Sequence, residues 1–166
     1  MEKGTKYNII PYGTEAMAIM RIEKGHVAGG ELDGRTTPDD LGLNKLISSK
    51  KEFIGRRLLE RDGFIDPKRP KLVGLVPIDG KSRIRTGSIL VKDPNASLPM
   101  PKLGHVSSGA YLSPTLKHPI SLGLITGGTD RIGETVWATS PLHGETNEVK
   151  IVDPVFYDKQ GERLNG

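Results

Sequence analysis

The strongest constraint on the fold is a series of six short strand-like runs in the second half of the chain. These runs are rich in Val, Ile, Leu and Thr, and glycine or proline separates them. They cover residues 71–76, 88–91, 105–112, 120–126, 134–139 and 148–155. Short strands at this spacing, joined by turns, are typical of an antiparallel barrel or sandwich. We therefore predict a mainly β protein of the α+β class that ends in a six-stranded antiparallel barrel or sandwich.

The part of the chain before residue 70 has a helical pattern instead. Apolar residues recur at helical spacing after Thr14, which predicts a largely buried helix with Thr14 as its cap and Gly25 as its end. Further on, the pattern predicts a short helix that starts at Thr37, a strand at 43–47 and a second helix at 49–63. The sequence therefore predicts a small helical α+β unit at 1–70 and a β-barrel unit at 71–166.

Composition and charge narrow the functional classes. The net charge is +4, but basic residues are spread along the chain among acidic ones, which does not indicate a nucleic-acid partner. The absence of cysteine excludes disulfides, cysteine zinc sites and thiol catalysis. No run is apolar and long enough for a membrane span, and no secretory signal follows Met1, so we expect a cytoplasmic protein without membrane contact.

The sequence offers only incomplete versions of known binding and catalytic motifs. Residues 74–82 resemble a phosphate-binding loop, but five residues separate the two glycines where that loop has four, and no helix is predicted next. The four histidines show no metal-ligand spacing, and no nucleophile elbow is present. We therefore predict neither a catalytic residue nor a metal site in this chain.

Three basic residues alternate at Lys81, Arg83 and Arg85. In a strand they would share one face, which could hold a polyanion. The solvated face of an edge strand is the alternative interpretation, and we favour it.

Glu23 is the most informative carboxylate. Helical spacing places it on the apolar face at the end of the first helix, where a carboxylate without partners is costly. It should therefore meet a basic residue in an ion pair, which we favour, or contact a ligand. Arg21 is a weaker candidate of the same kind.

Short segments spread over nearly the whole chain resemble one family. The two most informative are RIEKGH at 21–26, running on to TTPDDLGL at 36–43, and SGAYLSPTL at 108–116. Others lie at 13–17, 51–55, 71–75, 104–109, 120–123, 153–157 and 161–166. In this order they resemble the C-terminal part of the folate-binding region of the glycine-cleavage T-protein (aminomethyltransferase) family. The EKGH variant and the closing GERLNG are most similar to the version found in α subunits of heterotetrameric sarcosine oxidases.

The resemblance implies a function in one-carbon metabolism. In such enzymes a flavin oxidises sarcosine to an imine, and tetrahydrofolate captures the one-carbon unit in a pocket that the T-protein-like region supplies. The chain would then contribute part of a tetrahydrofolate site, with flavin and NAD on other parts or subunits of the complex. In this reading, 1–70 is the end of the folate-binding domain and 71–166 is the closing barrel.

The resemblance also indicates site residues. Glu23 matches a folate-contacting glutamate, Met17 stands where the family has a folate-contacting arginine, and Tyr157 and Arg163 match C-terminal folate contacts. The family's catalytic aspartate and its pterin-binding glutamate motif both precede the region that this chain resembles. We therefore expect the isolated chain neither to turn over substrate nor to bind folate tightly.

Two alternatives remain open from the sequence. The chain could be a non-catalytic T-protein-like interaction or assembly module, or part of a stand-alone aminomethyltransferase. Its partners would be other parts or subunits of a sarcosine oxidase-like complex. Met17, Met20 and Ile22 could form an exposed apolar patch that drives self-association.

Overall fold

The computed structural model describes residues 2–165, apart from the side chains of Ala110, Tyr111 and Leu164. Within that range it contains three α-helices and six β-strands. The helices are α1 (Thr14–Glu23), α2 (Asp62–Ile65) and α3 (Glu162–Asn165), and the strands are β1 (Pro70–Pro77), β2 (Ile89–Val91), β3 (Lys102–Leu112), β4 (Pro119–Thr126), β5 (Thr135–Ser140) and β6 (Glu145–Val152).

The six strands form a closed antiparallel barrel in the order β1-β4-β3-β2-β5-β6. Ring closure is made by β1 and β6, where Leu75 lies opposite Ile151. Because the ring is closed, each of the six strands pairs with a neighbour on both sides. The predicted fold class is confirmed, and the structure selects the barrel over the sandwich.

The barrel core follows from the two-residue repeat of the strands. Val73 and Leu75 of β1 point inward and meet Leu90, Val106 and other buried side chains. Ile84, in the connection between β1 and β2, is also fully buried in this core.

The outer face of β1 and β4 is covered by the first part of the chain. Leu72, Leu122 and Leu124 belong to a second buried cluster with Ile22 of α1 and Leu41. Both faces of β4 are therefore buried, which explains why residues 119–125 read as a nearly continuous apolar run. The division of the chain at residue 70 remains a prediction.

The structure corrects the prediction for α1. The helix bounds agree with the predicted start at Thr14 and end before Gly25, but the N-cap is Gly13 and no side chain caps the helix. The expectation of a buried helix is wrong, since Ile22 and Glu23 are its buried residues. Met17 and Met20 are 52% and 46% exposed, so two of the three predicted patch residues reach solvent and Ile22 does not.

The elements predicted between residues 37 and 63 are also wrong. Thr37 and Asp40 exchange the backbone-to-side-chain hydrogen bonds of a capping box, but they form a turn. The turn is held because the Asp40 carbonyl accepts a bond from the N–H of Leu72, which ties it to β1. Residues 43–47 contain a 3₁₀ turn in place of a strand.

The second predicted helix, at 49–63, is interrupted. Gly55 has a φ of +94°, a left-handed conformation that an α-helix does not accommodate. The segment therefore consists of a 3₁₀ turn at Arg56–Leu58 followed by the short helix α2.

Within residues 2–165, no helix has both the length and the apolarity that a membrane crossing requires.

Candidate functional site

The C-terminal end of α1 is the point where three distant segments of the chain meet. Glu23 is its last helical residue and is 5% exposed. Its side chain reaches the turn between β3 and β4, and its backbone carbonyl reaches the segment that follows β6. This end of α1 is therefore a structural junction and the centre of the candidate site.

The Glu23 carboxylate is held by hydroxyl groups. Ser113 donates to Oε1 at 2.5 Å and Thr115 donates to Oε2 at 3.4 Å. The Ser113 hydroxyl oxygen in turn accepts the N–H of Leu116 at 2.9 Å. The predicted ion pair is wrong for the part of the chain that the structure describes, because serine and threonine take the place of the basic partner.

The C-terminal segment is fastened to the same end of α1. The Glu23 carbonyl accepts the N–H groups of Phe156 and Tyr157 at 2.9 and 3.0 Å. Lys24 Nζ donates to the Asp158 carbonyl at 2.6 Å and lies 3.2 Å from Asp158 Oδ2. Together these contacts form a clasp that fixes where the C-terminal segment lies.

Three of the four sequence-predicted site residues come together through the clasp. Tyr157 is bonded to Glu23 through the backbone, and the Arg163 guanidinium lies 5.6 Å from the centre of the Tyr157 ring. Met17 lies six residues before Glu23 in α1, about 9 Å away along the helix axis, and its side chain is mostly solvent-exposed. The structure thus groups Glu23, Tyr157 and Arg163 and leaves Met17 at a distance.

A second buried carboxylate, Glu31, was missed by sequence reasoning. It is fully buried, and its Oε1 accepts hydrogen bonds from Ser107 at 2.7 Å and Ser108 at 2.5 Å. Its Oε2 accepts the N–H of Ala28 at 2.8 Å and faces Arg21 Nη1 at 3.5 Å.

Arg21 completes this network with a 2.7 Å bond from Nη2 to the Ser108 hydroxyl. The Ser107-Ser108 pair inside an otherwise apolar strand run was the available signal, since buried hydroxyls need partners.

The arrangement of these side chains favours holding a ligand in position over transferring a proton to it. Glu23 and Glu31 each already accept two or more hydrogen bonds, and both carboxylates are buried. The accessible groups are the half-buried Tyr157 ring and the exposed Arg163 guanidinium. An aromatic face beside a cation can hold a planar ring and a carboxylate of the same ligand.

The described residues contain no group of three His, Asp or Glu side chains that could hold a metal ion.

The clasp makes a testable prediction about Lys24. In Lys24→Met, amide hydrogen exchange should accelerate for residues 156–165, while the barrel strands keep their protection, because the lost contacts anchor only the tail. Lys45→Met is the matched control, since Lys45 is exposed and lies outside the clasp. Faster exchange throughout the barrel would contradict this prediction.

Acid should open the same clasp. Burial raises the pKa of Asp158, but hydrogen bonds from Lys24 and from backbone N–H groups outweigh it and leave the pKa below the ordinary 3.8. A carboxyl with a lowered folded-state pKa contributes stability above its unfolded pKa and loses it as the pH falls through the folded value. Protection of the tail should therefore persist at pH 5, start to fall as the pH drops below the ordinary 3.8, and be lost once the pH passes below the lower folded-state pKa, as measured by exchange at several pH values.

Comparison with known proteins places the chain in a family. The sequence pattern of the glycine cleavage T-protein C-terminal barrel domain matches residues 71–158, and that of the GCVT N-terminal domain matches residues 1–51. The chain is 44% identical to sarcosine oxidase subunit alpha of Rhizobium meliloti (strain 1021) over 99% of its own length. It is 36% identical to sarcosine oxidase subunit alpha of Corynebacterium sp. (strain U-96) over 98% of its length.

More distant relatives share the same region. The chain is 30% identical to the aminomethyltransferase of Synechococcus sp. (strain RCC307) over 92% of its length. It spans 17% of the sarcosine oxidase subunits and 40% of that aminomethyltransferase.

The fold has a solved counterpart. It matches the crystal structure of glycine cleavage system aminomethyltransferase T from Bartonella henselae with a TM-score of 0.64 at 20% identity, over 86% of this chain and 38% of that one. The resemblance noted in the sequence is confirmed, and the chain belongs to the glycine cleavage T-protein C-terminal barrel domain family.

Proposed function

We propose that this chain forms one wall of a tetrahydrofolate site in an enzyme of the sarcosine oxidase subunit alpha type. The observation that carries the proposal is the 44% identity to such a subunit along 99% of the chain. The relatives are named as subunits, so the proposed partners are the remaining parts and subunits of a sarcosine oxidase-like complex. Flavin and NAD are proposed to lie on those other parts.

The accessible groups of the candidate site fit a folate. The ligand combines a planar pterin, an aromatic ring and a carboxylate-bearing tail, and Tyr157 and Arg163 offer an aromatic face and a cation side by side. Tetrahydrofolate, when bound, supplies the nucleophilic nitrogen that captures the one-carbon unit released from sarcosine. Folate contact by Met17 and by the Glu23 side chain remains a prediction, and the hydroxyl bonds of Glu23 favour an indirect contribution through the clasp.

The contribution of the chain's own residues would be orientation. The clasp fixes Tyr157 relative to α1, and α1 is fixed to the barrel by the Glu31 network and by buried Ile22. Holding a nucleophile in place reduces the entropic part of the barrier to attack. We therefore expect the chain to determine how well the one-carbon unit is captured, and the oxidation of the amine to depend on other parts of the complex.

A segment exchange tests this proposal. The part of Rhizobium meliloti sarcosine oxidase subunit alpha that aligns with this chain is replaced by residues 1–166, and the complex is assayed with sarcosine and tetrahydrofolate. We expect the exchanged enzyme to oxidise sarcosine and to form 5,10-methylenetetrahydrofolate in place of free formaldehyde. Sarcosine oxidation with only free formaldehyde as the one-carbon product would show that the chain does not serve the folate site.

Variants of the exchanged enzyme locate the contact. Arg163→Gln should raise the KM for tetrahydrofolate by about tenfold, the effect of losing one charge-assisted hydrogen bond, and leave sarcosine oxidation unchanged. Lys159→Gln is the control, because Lys159 is an exposed cation of the same segment that pairs with Asp153. Equal effects of the two variants would argue against a specific role for Arg163.

The isolated chain provides a complementary measurement. Calorimetric titration with tetrahydrofolate should show no micromolar binding, because the chain holds only one side of the proposed site. Micromolar binding would mean that the chain contains a complete folate site by itself.

A further inference from the structure

A polar cavity of about 540 Å³ is lined by residues of the barrel unit, and none of the candidate folate-site residues is among them. One side is the connection from β1 to β2, and the other is the hairpin of β5 and β6. Two arginines, Arg83 and Arg85, line it, together with polar groups of Ser82, Thr86, His143 and Asn147. Glu145 is the one carboxylate among these lining residues.

The connection is anchored so that both arginines stand at the cavity. Ile84, between them, is fully buried in the barrel core and anchors the connection there. The Arg83 carbonyl accepts a bond from the Asn147 amide at 3.4 Å, which attaches the connection to β6. The segment is not a strand, so Arg83 and Arg85 lie at the cavity because Ile84 between them is anchored in the core. Lys81 does not line the cavity.

The cavity is lined by two arginines and only one carboxylate. Arg85 donates to both carboxylate oxygens of Glu145, at 2.9 and 2.6 Å, and this hydrogen bonding lowers the pKa of Glu145. The acid is therefore ionised at neutral pH and neutralised by Arg85. Among the described residues, the exposed Arg83 guanidinium makes no hydrogen bond or salt bridge, although its charge still acts on Glu145 at longer range. Two arginines and one carboxylate therefore leave the cavity with one net positive charge.

Neutral donors accompany that charge. The Thr86 hydroxyl makes no side-chain hydrogen bond among the described residues, and it lies against β3, where it would meet a Cβ added at Gly109 at 2.5 Å. His143 lies with Nδ1 2.9 Å from the Ser140 hydroxyl, which leaves its second ring nitrogen for another partner. Guanidinium, hydroxyl and imidazole groups together are the donors that carboxylates and phosphates bind.

We propose that this cavity is a binding site for a small anion that carries carboxylate or phosphate groups, with Arg83 as its principal contact. The site does not depend on the proposed folate wall, and its ligand need not be a folate. Lys81, Arg83 and Arg85 are all exposed, as the favoured interpretation of a solvated basic face expects, although the segment is not a strand. The proposal adds a binding role for Arg83 on that face.

Titration of the full chain at constant ionic strength tests the site with two probes, citrate for carboxylates and pyrophosphate for phosphates. Saturable binding should perturb the amide NMR signals of residues 82–87 and 143–147. Arg83→Gln should weaken binding by about tenfold, as expected for one charge-assisted contact. Glu145→Gln should strengthen it, because it removes the only carboxylate lining the cavity and frees Arg85.

Arg61→Gln is the matched control, since Arg61 is an exposed arginine that does not line this cavity. A preference for citrate over pyrophosphate, or the reverse, identifies which of the two anion classes the site takes. The proposal is overturned if Arg83→Gln and Arg61→Gln weaken binding equally, or if perturbations spread over all basic surfaces. Absence of saturable binding up to roughly 10 mM of both probes would also overturn it.

Discussion

Replacing Gly104 with alanine is expected to prevent the barrel from closing normally. Gly104 lies in β3, opposite Ile125 of β4 on one side and Leu90 of β2 on the other. A Cβ at this position would lie 2.0 Å from the Leu124 carbonyl oxygen and 2.8 Å from the Ile125 Cα. Both atoms are backbone of the paired strand, so relief requires β3 and β4 to separate.

The expected loss is large because β3 and β4 share a long ladder and both belong to the ring. We expect a destabilisation of about 4 kcal/mol or more, the range reached by disruption of a packed core. Urea unfolding followed by the fluorescence of Trp137, the single tryptophan and a residue of β5, measures it.

Gly63→Ala is the control for this substitution. Gly63 lies in α2, and a Cβ added there meets nothing within 4 Å. Alanine is a better helix former, so the control should be neutral or stabilising by up to ~1 kcal/mol. If Gly104→Ala unfolded at the same urea concentration as the unmodified chain, the close approach of β3 to β4 would be wrong.

Replacing Glu31 with alanine is expected to have the second largest effect. Its carboxylate is fully buried and accepts bonds from Ser107, Ser108 and Ala28, with Arg21 beside it. Truncation leaves these donors without an acceptor and the Arg21 cation without its carboxylate. Removal of one partner from a buried charged network costs about 3–5 kcal/mol, and we expect a loss in that range.

The position of α1 should change along with stability. Arg21 lies in α1 and Ser108 in β3, so the network fixes the helix to the barrel. In Glu31→Ala, amide exchange should therefore accelerate in residues 14–23 more than in β5 and β6. Glu31→Gln, which keeps the volume and one acceptor oxygen, should lose less.

Glu60→Ala is the matched control, because Glu60 is an exposed glutamate in the segment before α2. Its effect should stay within about 0.5 kcal/mol, as for most surface substitutions. A loss for Glu31→Ala no larger than that of Glu60→Ala would show that the network does not anchor α1.

Local sequence patterns were sufficient to predict a strand or helix where the residues of that element alone specify it. All six strands were predicted near their observed positions, because runs of Val, Ile, Leu and Thr and the glycine and proline residues between them act within a few residues. The same is true of the helix bounds at Thr14 and Glu23. The prediction failed at 37–63, where the left-handed Gly55 interrupts the helix and the tie from Asp40 to Leu72 holds a turn.

The candidate site was only partly accessible from sequence. The burial of Glu23 followed from helical spacing, but its partners Ser113 and Thr115 lie 90 and 92 residues away, and no local pattern connects them. Glu31 was missed for the same reason, because its acceptor role depends on a serine pair 76 and 77 residues further along.

The sequence by itself determined the β-rich architecture, the family resemblance and the need for partners around a buried carboxylate. The tertiary structure alone decided that the strands close into a barrel and which partners the carboxylates take. It also decided that Arg83 lines a cavity without a hydrogen-bond or salt-bridge partner among the described residues. The physical reason is the sequence separation over which each kind of interaction acts. Backbone preferences and side-chain periodicity act over a few residues, whereas hydrogen-bond partners and cavities arise only when distant segments pack together.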